Sequence, residues 1–360
     1  MKIIFSGGYT LGPVTPLLAV SEVIKKHYPN VEFLWIGTKK GPEKKLINEQ
    51  GIKFITLPAG KFRRYLSPWN LIDIAKIIAG FFKALKIMWQ EEPVICISAG
   101  GFVSVPVHFA AWLFGVPTWI HQQDVIVGLA NKLMAPVARV ISTALKDNVQ
   151  SFGKLRIKKT IWLGNPVRAE IFGGNLVNAE KIFNLKKNLP VVFAMGGGTG
   201  SMRLNQLIIQ SIPHLKGFCQ VIHLSGLERP QELVSRAQEL FADYYQVHKF
   251  FSAEMKDAYS ASSIVISRGG FGSLSEIAAL GKPAIIIPKP GHQIENVRFL
   301  NQAGAVILLD ERTADGNLLA KTIRELLVDQ ILQRQMSTQI QKMLPRASEE
   351  KILAIIKAML

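Results

Sequence analysis

Two glycine-rich turns carry the first hint of chemistry in this 360-residue chain. Gly7-Gly8-Tyr9-Thr10-Leu11-Gly12 closes one apolar run, and Gly196-Gly197-Gly198-Thr199-Gly200 closes another. A helical pattern follows each. A strand–glycine–helix turn offers unpaired amides and the positive end of a helix dipole, which suits a phosphate. Neither turn is a good dinucleotide fingerprint, because no well-placed acidic residue follows to bind an adenosine ribose. Pro13 stands just before the first helix, where an ionisable residue would be useful, and it has neither a titratable group nor a backbone N–H. Further along, Ser273-x-x-Glu276 taken alone reads as a capping box, with Glu276 returning to the Ser273 amide. No Asp-x-Asp pair or His/Cys cluster has metal-ligand spacing, so neither a metal nor a cofactor is expected.

The elements that must hold these residues alternate. In the first half, β-like runs at 2–6, 31–36, 53–57, 94–98, 117–120 and 139–143 are separated by helical stretches such as 16–26, 42–50 and 105–114. Apolar strands alternating with helices indicate a parallel sheet covered on both faces. The same order restarts about 190 residues on, with runs at 219–225, 246–250, 263–267, 284–288 and 305–309. The fold class is therefore α/β, with two Rossmann-like domains in tandem. Their boundary is expected in the Gly/Asn/Pro-rich stretch 164–176, giving domains 1–165 and 166–345 and a last helix, 346–360, packing back on the first. Ligands of such sheets bind beyond the carboxyl ends of the strands, which makes a central cleft faced by both sheets the expected site.

Composition narrows the partners. Apolar residues at 48% and charged residues at 19% describe a globular chain. The first twenty residues read as strand, loop and helix rather than as a secretory leader. Cys96 and Cys219 lie far apart on apolar runs, as buried reduced thiols of a cytoplasmic protein do. The net charge of +17 is lopsided: residues 1–168 hold 22 basic against 9 acidic side chains. That excess calls for an anionic partner on the first half. Nucleic acid is set aside, since no helix-turn-helix, zinc module or aromatic RNA-binding strand is apparent. An anionic membrane surface remains. Residues 61–89 place Lys61, Arg63 and Arg64 ahead of a very apolar helix, whose charges Asp73, Lys76, Lys83 and Lys86 exclude a span but share one narrow stripe.

Seven segments in order make the chain resemble the MurG family of bacterial transferases. These are GGYTLGPVTPLLAV, SAGGFVSVPVHFAAWLFGVP, IHQQDVIVGLANK, LGNPVR, MGGGTGSMRLNQ, ISRGGFGSLSEIAALGKPAIIIP and HQIEN. The resemblance covers essentially the whole length. It implies a GT-B fold and inverting transfer of GlcNAc from UDP-GlcNAc to the 4-hydroxyl of lipid-linked MurNAc-pentapeptide, in cell-wall synthesis at the cytoplasmic membrane face. It further implies that Glu276 binds the ribose of UDP at a helix start formed by Arg268, Phe271, Gly272, Ser273, Leu274 and Ser275. Arg168 and the glycine turn with Gly198 meet the diphosphate, and the Ser252 backbone holds uracil. His292, Gln293 and Asn296 read the sugar hydroxyls. Gly100, Gly101, Ser104 and Asn131 hold the acceptor, while Thr10 and Gly12 cradle its diphosphate or the donor sugar. Leu71, Ile78, Phe81 and Trp112 match the family's membrane patch, with Arg64 and Lys83 attracting headgroups.

The chain departs from the family at three places. Pro13 replaces a histidine that is a proposed base, Gly198 replaces a serine, and His121-Gln122-Gln123-Asp124 replaces His-Glu-Gln-Asn. The attacking hydroxyl must lose a proton to a base within hydrogen-bond reach. Asp124 and His121 are the titratable residues of that loop; Asp124, where the loop has gained a carboxylate, is favoured, with His121 as the alternative. Two other enzymes compete with this reading: a different UDP-sugar transferase acting on a lipid, and a UDP-GlcNAc 2-epimerase. A non-catalytic membrane scaffold is the alternative of another class.

Overall fold

A computed structural model describes residues 1–60, 69–197, 200–226, 232–251 and 253–360, with the backbone alone at 69–72, 74, 232 and 233. Lys61, Arg63, Arg64, Gly198, Thr199 and Ser252, and the side chain of Leu71, lie outside the described residues. The chain divides into two units, residues 1–168 with 346–360 and residues 169–345.

In the first unit the order is β1 (Lys2–Ser6), α1 (Thr15–His27), β2 (Glu32–Gly37), α2 (Glu43–Glu49), β3 (Lys53–Thr56), α3 (Trp69–Glu91), β4 (Ile95–Ser98), α4 (Ser104–Leu113), β5 (Thr118–Gln122), α5 (Leu129–Met134), β6 (Val140–Thr143) and β7 (Thr160–Trp162). The second unit holds α6 (Leu176–Ile182), β8 (Val191–Met195), α7 (Met202–Leu215), β9 (Gln220–Leu224), α8 (Glu232–Phe241), β10 (Tyr245–His248), α9 (Met255–Ala261), β11 (Ser262–Ser267), α10 (Phe271–Leu280), β12 (Ala284–Ile286), α11 (His292–Gln302), β13 (Ile307–Leu308), α12 (Gly316–Val328) and α13 (Gln330–Met343). A last helix, α14 (Glu349–Met359), returns to the first unit.

The sheets run β3-β2-β1-β4-β5-β6-β7 and β10-β9-β8-β11-β12-β13, parallel throughout. Strand order reverses beside β1 and β4 in one and beside β8 and β11 in the other. The side-chain period of two in a strand sorts the core of the first unit. Ile3 and Phe5 face Leu17, Leu18 and Ile24 of α1 and Ile352, Ile355 and Ile356 of α14. Ile4 and Cys96 face the other way, onto Ala84, Ile87 and Met88 of α3 and Val107, Ala110 and Ala111 of α4. Helix α14 is held by Ser348 at its amino end, by a Lys26–Glu349 ion pair of 2.8 Å, and by the Ala347 amide on the Asn165 carbonyl. In the second unit Val192, Ala194, Ile264 and Ile266 pack on Leu204, Leu207 and Ile208 of α7 and Leu319 and Ile323 of α12. Strand β7 was not anticipated; it is three residues long, Ile161 and Trp162 are exposed, and its apolar stretch Ile161-Trp162-Leu163 is short.

Three histidines are fully buried, and burial pushes each down to about 3. His223 is satisfied, with Nδ1 2.7 Å from the Tyr245 hydroxyl and Nε2 3.1 Å from Asn205 Oδ1. His108, on α4, has no partner for either ring nitrogen among the described residues. An unfolded histidine titrates near 6.5. Between that value and about 3 the unfolded chain binds more protons, so stability is complete above pH ~6.5 and falls as the pH drops. His108→Leu removes an unsatisfied buried polar group. It should stabilise the first unit at pH 7 by about 1–3 kcal/mol and flatten its acid lability. Urea unfolding at pH 7.5, 6 and 5 checks this; a less stable variant at pH 7.5 would contradict it.

Candidate active site

In the second unit, the turns after β8 and β11 lie side by side because those strands pair from Ser262↔Val191 to Ser267↔Met195. Helix α7 starts at Ser201, whose Oγ accepts from the Leu204 amide at 3.3 Å. That oxygen also accepts from Arg268 Nε at 2.9 Å and from Arg268 Nη2. Arg268 Nη1 in turn donates to the Ile287 carbonyl at 2.8 Å and to Glu311 Oε2. Arg268 is 8% exposed, and its guanidinium is thus engaged on several sides. Arg268 ties the β8 turn to the β11 turn, a positioning task that its sequence context did not reveal.

Helix α10 begins one turn earlier than the capping-box reading requires. Its N-cap is Gly270, in extended backbone, and no side chain caps it. Ser273 is the third helical residue, so Ser273 and Glu276 form no box. The physical reason is that the extended Gly270 lets the helix begin at Phe271, which is buried. An uncapped helix start leaves amides for a ligand to satisfy. Glu276, half-buried, receives the Tyr259 hydroxyl on Oε2 at 3.0 Å. Phe271, Leu274 and Ser275 are buried, whereas Gly272 and Ser273 are half-exposed at the start of the helix.

The β11 turn packs on the start of α11: a Cβ on Gly269 would lie 3.1 Å from the Gln293 carbonyl, and one on Gly270 would lie 3.7 Å from Gln293 Nε2. Gln293 therefore joins the α10 start, with its Oε1 accepting the Lys289 amide at 3.0 Å. His292 is exposed at the tip of α11, and Asn296 is buried one turn further in. Arg168 is half-buried and is the last residue before the division between units.

In the first unit the turns after β1, β4 and β5 converge. A Cβ on Gly101 would sit 3.5 Å from the Gly8 amide and carbonyl, and one on Gly100 would sit 3.5 Å from Asn131 Oδ1. Gly100 and Gly101 have φ of 106° and 96°, two successive left-handed residues that only glycine adopts readily. Asn131 donates to the His121 carbonyl at 3.1 Å and to Gln122 Oε1 at 2.7 Å. Gln122 donates to the Asp124 carbonyl at 2.7 Å, and Asn148 donates to the same carbonyl at 2.8 Å. The backbone of Asp124 is therefore fixed while its side chain remains half-exposed. Thr10 is exposed and Gly12 half-exposed on the first turn.

Two expected contacts look different in three dimensions. Ser104 is fully buried; its hydroxyl faces the Ser6 carbonyl at 2.9 Å and its amide the Gly101 carbonyl at 3.1 Å, so it shapes the turn. His121 is 2% exposed, with Nδ1 2.9 Å from Ser142 Oγ, and burial holds it neutral. Sequence reasoning also missed Glu43, a fully buried carboxylate accepting from the Thr38 amide at 2.8 Å. A Cβ on Gly8 would overlap that carboxylate, so Glu43 and Gly8 shape each other. The apparent signal was only an acidic residue at a helix start.

Residues 3–143 match the glycosyltransferase family 28 N-terminal domain, and residues 191–351 match the glycosyltransferase family 28 C-terminal domain. A UDP-N-acetylglucosamine–N-acetylmuramyl-(pentapeptide) pyrophosphoryl-undecaprenol N-acetylglucosamine transferase of Treponema denticola is 34% identical over 343 residues, covering 90% of this chain and 88% of that one. The transferase of the same name from Caldanaerobacter subterraneus is 31% identical over 364 residues and covers 99% of both. Among solved structures, Acinetobacter baumannii MurG aligns with a TM-score of 0.74 at 23% identity over 99% of each chain. A UDP-GlcNAc 2-epimerase from Neisseria meningitidis bound to UDP-GlcNAc aligns with a TM-score of 0.70 at 14% identity, over 99% of this chain and 100% of that one. At these identities the two structures speak for the fold alone, which is GT-B.

The Arg268 anchor yields a prediction. Glu311→Ala removes a charged acceptor from a buried guanidinium and should destabilise the second unit by about 1.5–3 kcal/mol. Urea unfolding followed by a probe in that unit measures it. An unchanged midpoint would mean that Ser201 and Ile287 suffice.

Proposed function

The chain belongs to glycosyltransferase family 28, and from that membership we infer that it transfers GlcNAc from UDP-GlcNAc to lipid-linked MurNAc-pentapeptide, turning lipid I into lipid II in peptidoglycan synthesis. The observation that carries this reading is end-to-end similarity to transferases of that one name, as high as 99% coverage of both chains. The epimerase likeness, at 14% identity, is a likeness of fold.

In the proposed mechanism the acceptor 4-hydroxyl oxygen attacks the anomeric carbon of GlcNAc. The bond from that carbon to the β-phosphate oxygen breaks, UDP departs, and an α-linked donor becomes a β-linked product. The growing charge on the diphosphate is met by the amino ends of α7 and α10, where amides and helix dipole favour an anion. The second unit takes the donor through these helix starts, Glu276 and Gln293. The first unit takes the acceptor through the turns at Gly8, Gly100 and Gly101.

The proton of the attacking hydroxyl goes to the Asp124 carboxylate. What favours Asp124 over His121 is burial: a ring pushed down to about 3 gives a very weak base. Two hydrogen bonds to the Asp124 carbonyl fix the backbone of its loop.

We further propose peripheral attachment to the cytoplasmic face of the membrane. Ile78, Phe82 and Trp89 on α3, and Trp112, Leu113 and Phe114 at the end of the adjoining α4, are all exposed. Lys76, Lys83 and Lys86 are exposed on α3 as well. Phe81 was expected in this patch, but it packs against the core beside Ala84 and Met88, and Phe82 takes the outward position. Asp73 is likewise buried, with Lys76 3.8 Å away, rather than part of the solvated stripe. No described helix is long and apolar enough to cross a membrane.

Radiolabelled UDP-GlcNAc supplied with a short-chain lipid I analogue tests the function. Label should move to the lipid as a β-linked disaccharide. UDP release with no labelled lipid, or conversion of the free donor to its 2-epimer, would overturn the reading. Asp124→Asn should lower turnover by roughly 10²–10⁴-fold with UDP-GlcNAc affinity nearly unchanged, the pattern of a base that acts only during attack. A fully active Asp124→Asn enzyme would remove Asp124 from the role. Phe82→Glu with Trp112→Glu should abolish flotation with anionic vesicles and spare UDP binding; undiminished flotation would place the lipid face elsewhere.

A further inference from the structure

Behind the proposed ribose carboxylate lies a residue that no motif pointed to. Tyr259, near the end of α9, is 1% exposed, and its hydroxyl lies 3.0 Å from Glu276 Oε2 and 3.5 Å from Met195 Sδ. Its ring meets Phe193 edge-on, with centroids 5.2 Å apart and planes at 88°. Phe193 in turn stacks on Phe251 and is buried in β8. The Tyr259 hydroxyl is therefore set by a rigid aromatic column rooted in the sheet.

Glu276 is the sixth residue of α10, and helical side chains lean back toward the amino end. That lean carries its carboxylate toward the open mouth of the helix. Such a side chain has several rotatable bonds, and immobilising it on ligand binding costs conformational entropy. A buried hydroxyl bonded to one carboxylate oxygen fixes the rotamer before the ligand arrives.

We propose that Tyr259 is a positioning residue for the nucleotide, holding Glu276 aligned for the ribose hydroxyls of UDP. The inference rests on the reading of Glu276 as the ribose-binding carboxylate. Tyr259 touches no substrate. It acts through Glu276, and its effect should depend on the ribose hydroxyls being there. Tyr259→Phe keeps the ring and its packing on Phe193, so the fold should persist.

The test is calorimetric binding of UDP and of 2′,3′-dideoxy-UDP to the full-length protein, its Tyr259→Phe and Glu276→Ala variants, and the double variant. Tyr259→Phe should weaken UDP about 3–10-fold and leave the dideoxy nucleotide unaffected, and adding it to Glu276→Ala should cost nothing more. If Glu276→Ala weakens UDP while Tyr259→Phe does not, the positioning role is wrong and the ribose reading stands. If Glu276→Ala leaves UDP affinity unchanged, the ribose reading falls and this inference falls with it. Equal weakening of both nucleotides by Tyr259→Phe would mark a general structural role and overturn the proposal.

Discussion

Parallel strand pairing is the constraint on which the site depends. When every strand of a sheet points the same way, every turn from strand to helix emerges at one edge. Where strand order reverses, neighbouring turns lead to helices on opposite faces and leave a crevice between them. In the first unit this happens between β1 and β4, and in the second between β8 and β11. The turns of the proposed acceptor and donor sites are the ones at those two places. Glycine serves there for two reasons: Gly101 holds a left-handed backbone with φ of 96°, and a Cβ on Gly269 would meet Val297 at 2.5 Å and the Gln293 carbonyl at 3.1 Å.

Around this frame several strong polar groups hold the turns. Arg268 links two turns and the carboxylate of Glu311, while Ser104 closes the β4 turn on β1. Glu43 supports Thr38 beside Gly8. A turn held from behind presents its amides at fixed positions, and fixed dipoles stabilise a departing diphosphate without reorganising. Residues that look reactive in a motif can thus contribute by position alone.

The sequence was informative where a repeating pattern was involved. Alternating apolar runs located twelve of the strands to within a few residues, because a buried parallel strand is apolar along its length. The exception, β7, is three residues long, and its apolar stretch Ile161-Trp162-Leu163 is too short to stand out as a strand. Phase was harder to read than existence. Helix α3 is apolar around most of its circumference, so its pattern does not say whether Phe81 or Phe82 faces the core. Local motifs erred where a neighbour decides: Gly270 moves the start of α10 ahead of Ser273, and the resulting helix leaves Glu276 to Tyr259. That pairing spans two elements and is fixed by packing on Phe193, which no spacing rule encodes.

The central claim is that UDP lies at the carboxyl edge of the second sheet, against the turns after β8 and β11. Hydrogen–deuterium exchange of the full-length protein with and without saturating UDP tests it most directly. The account predicts slower exchange in peptides covering residues 196–204 and 268–277, with little change along the opposite edge of that sheet. Protection confined to the first unit, or to the amino ends of β8 and β11, would contradict it.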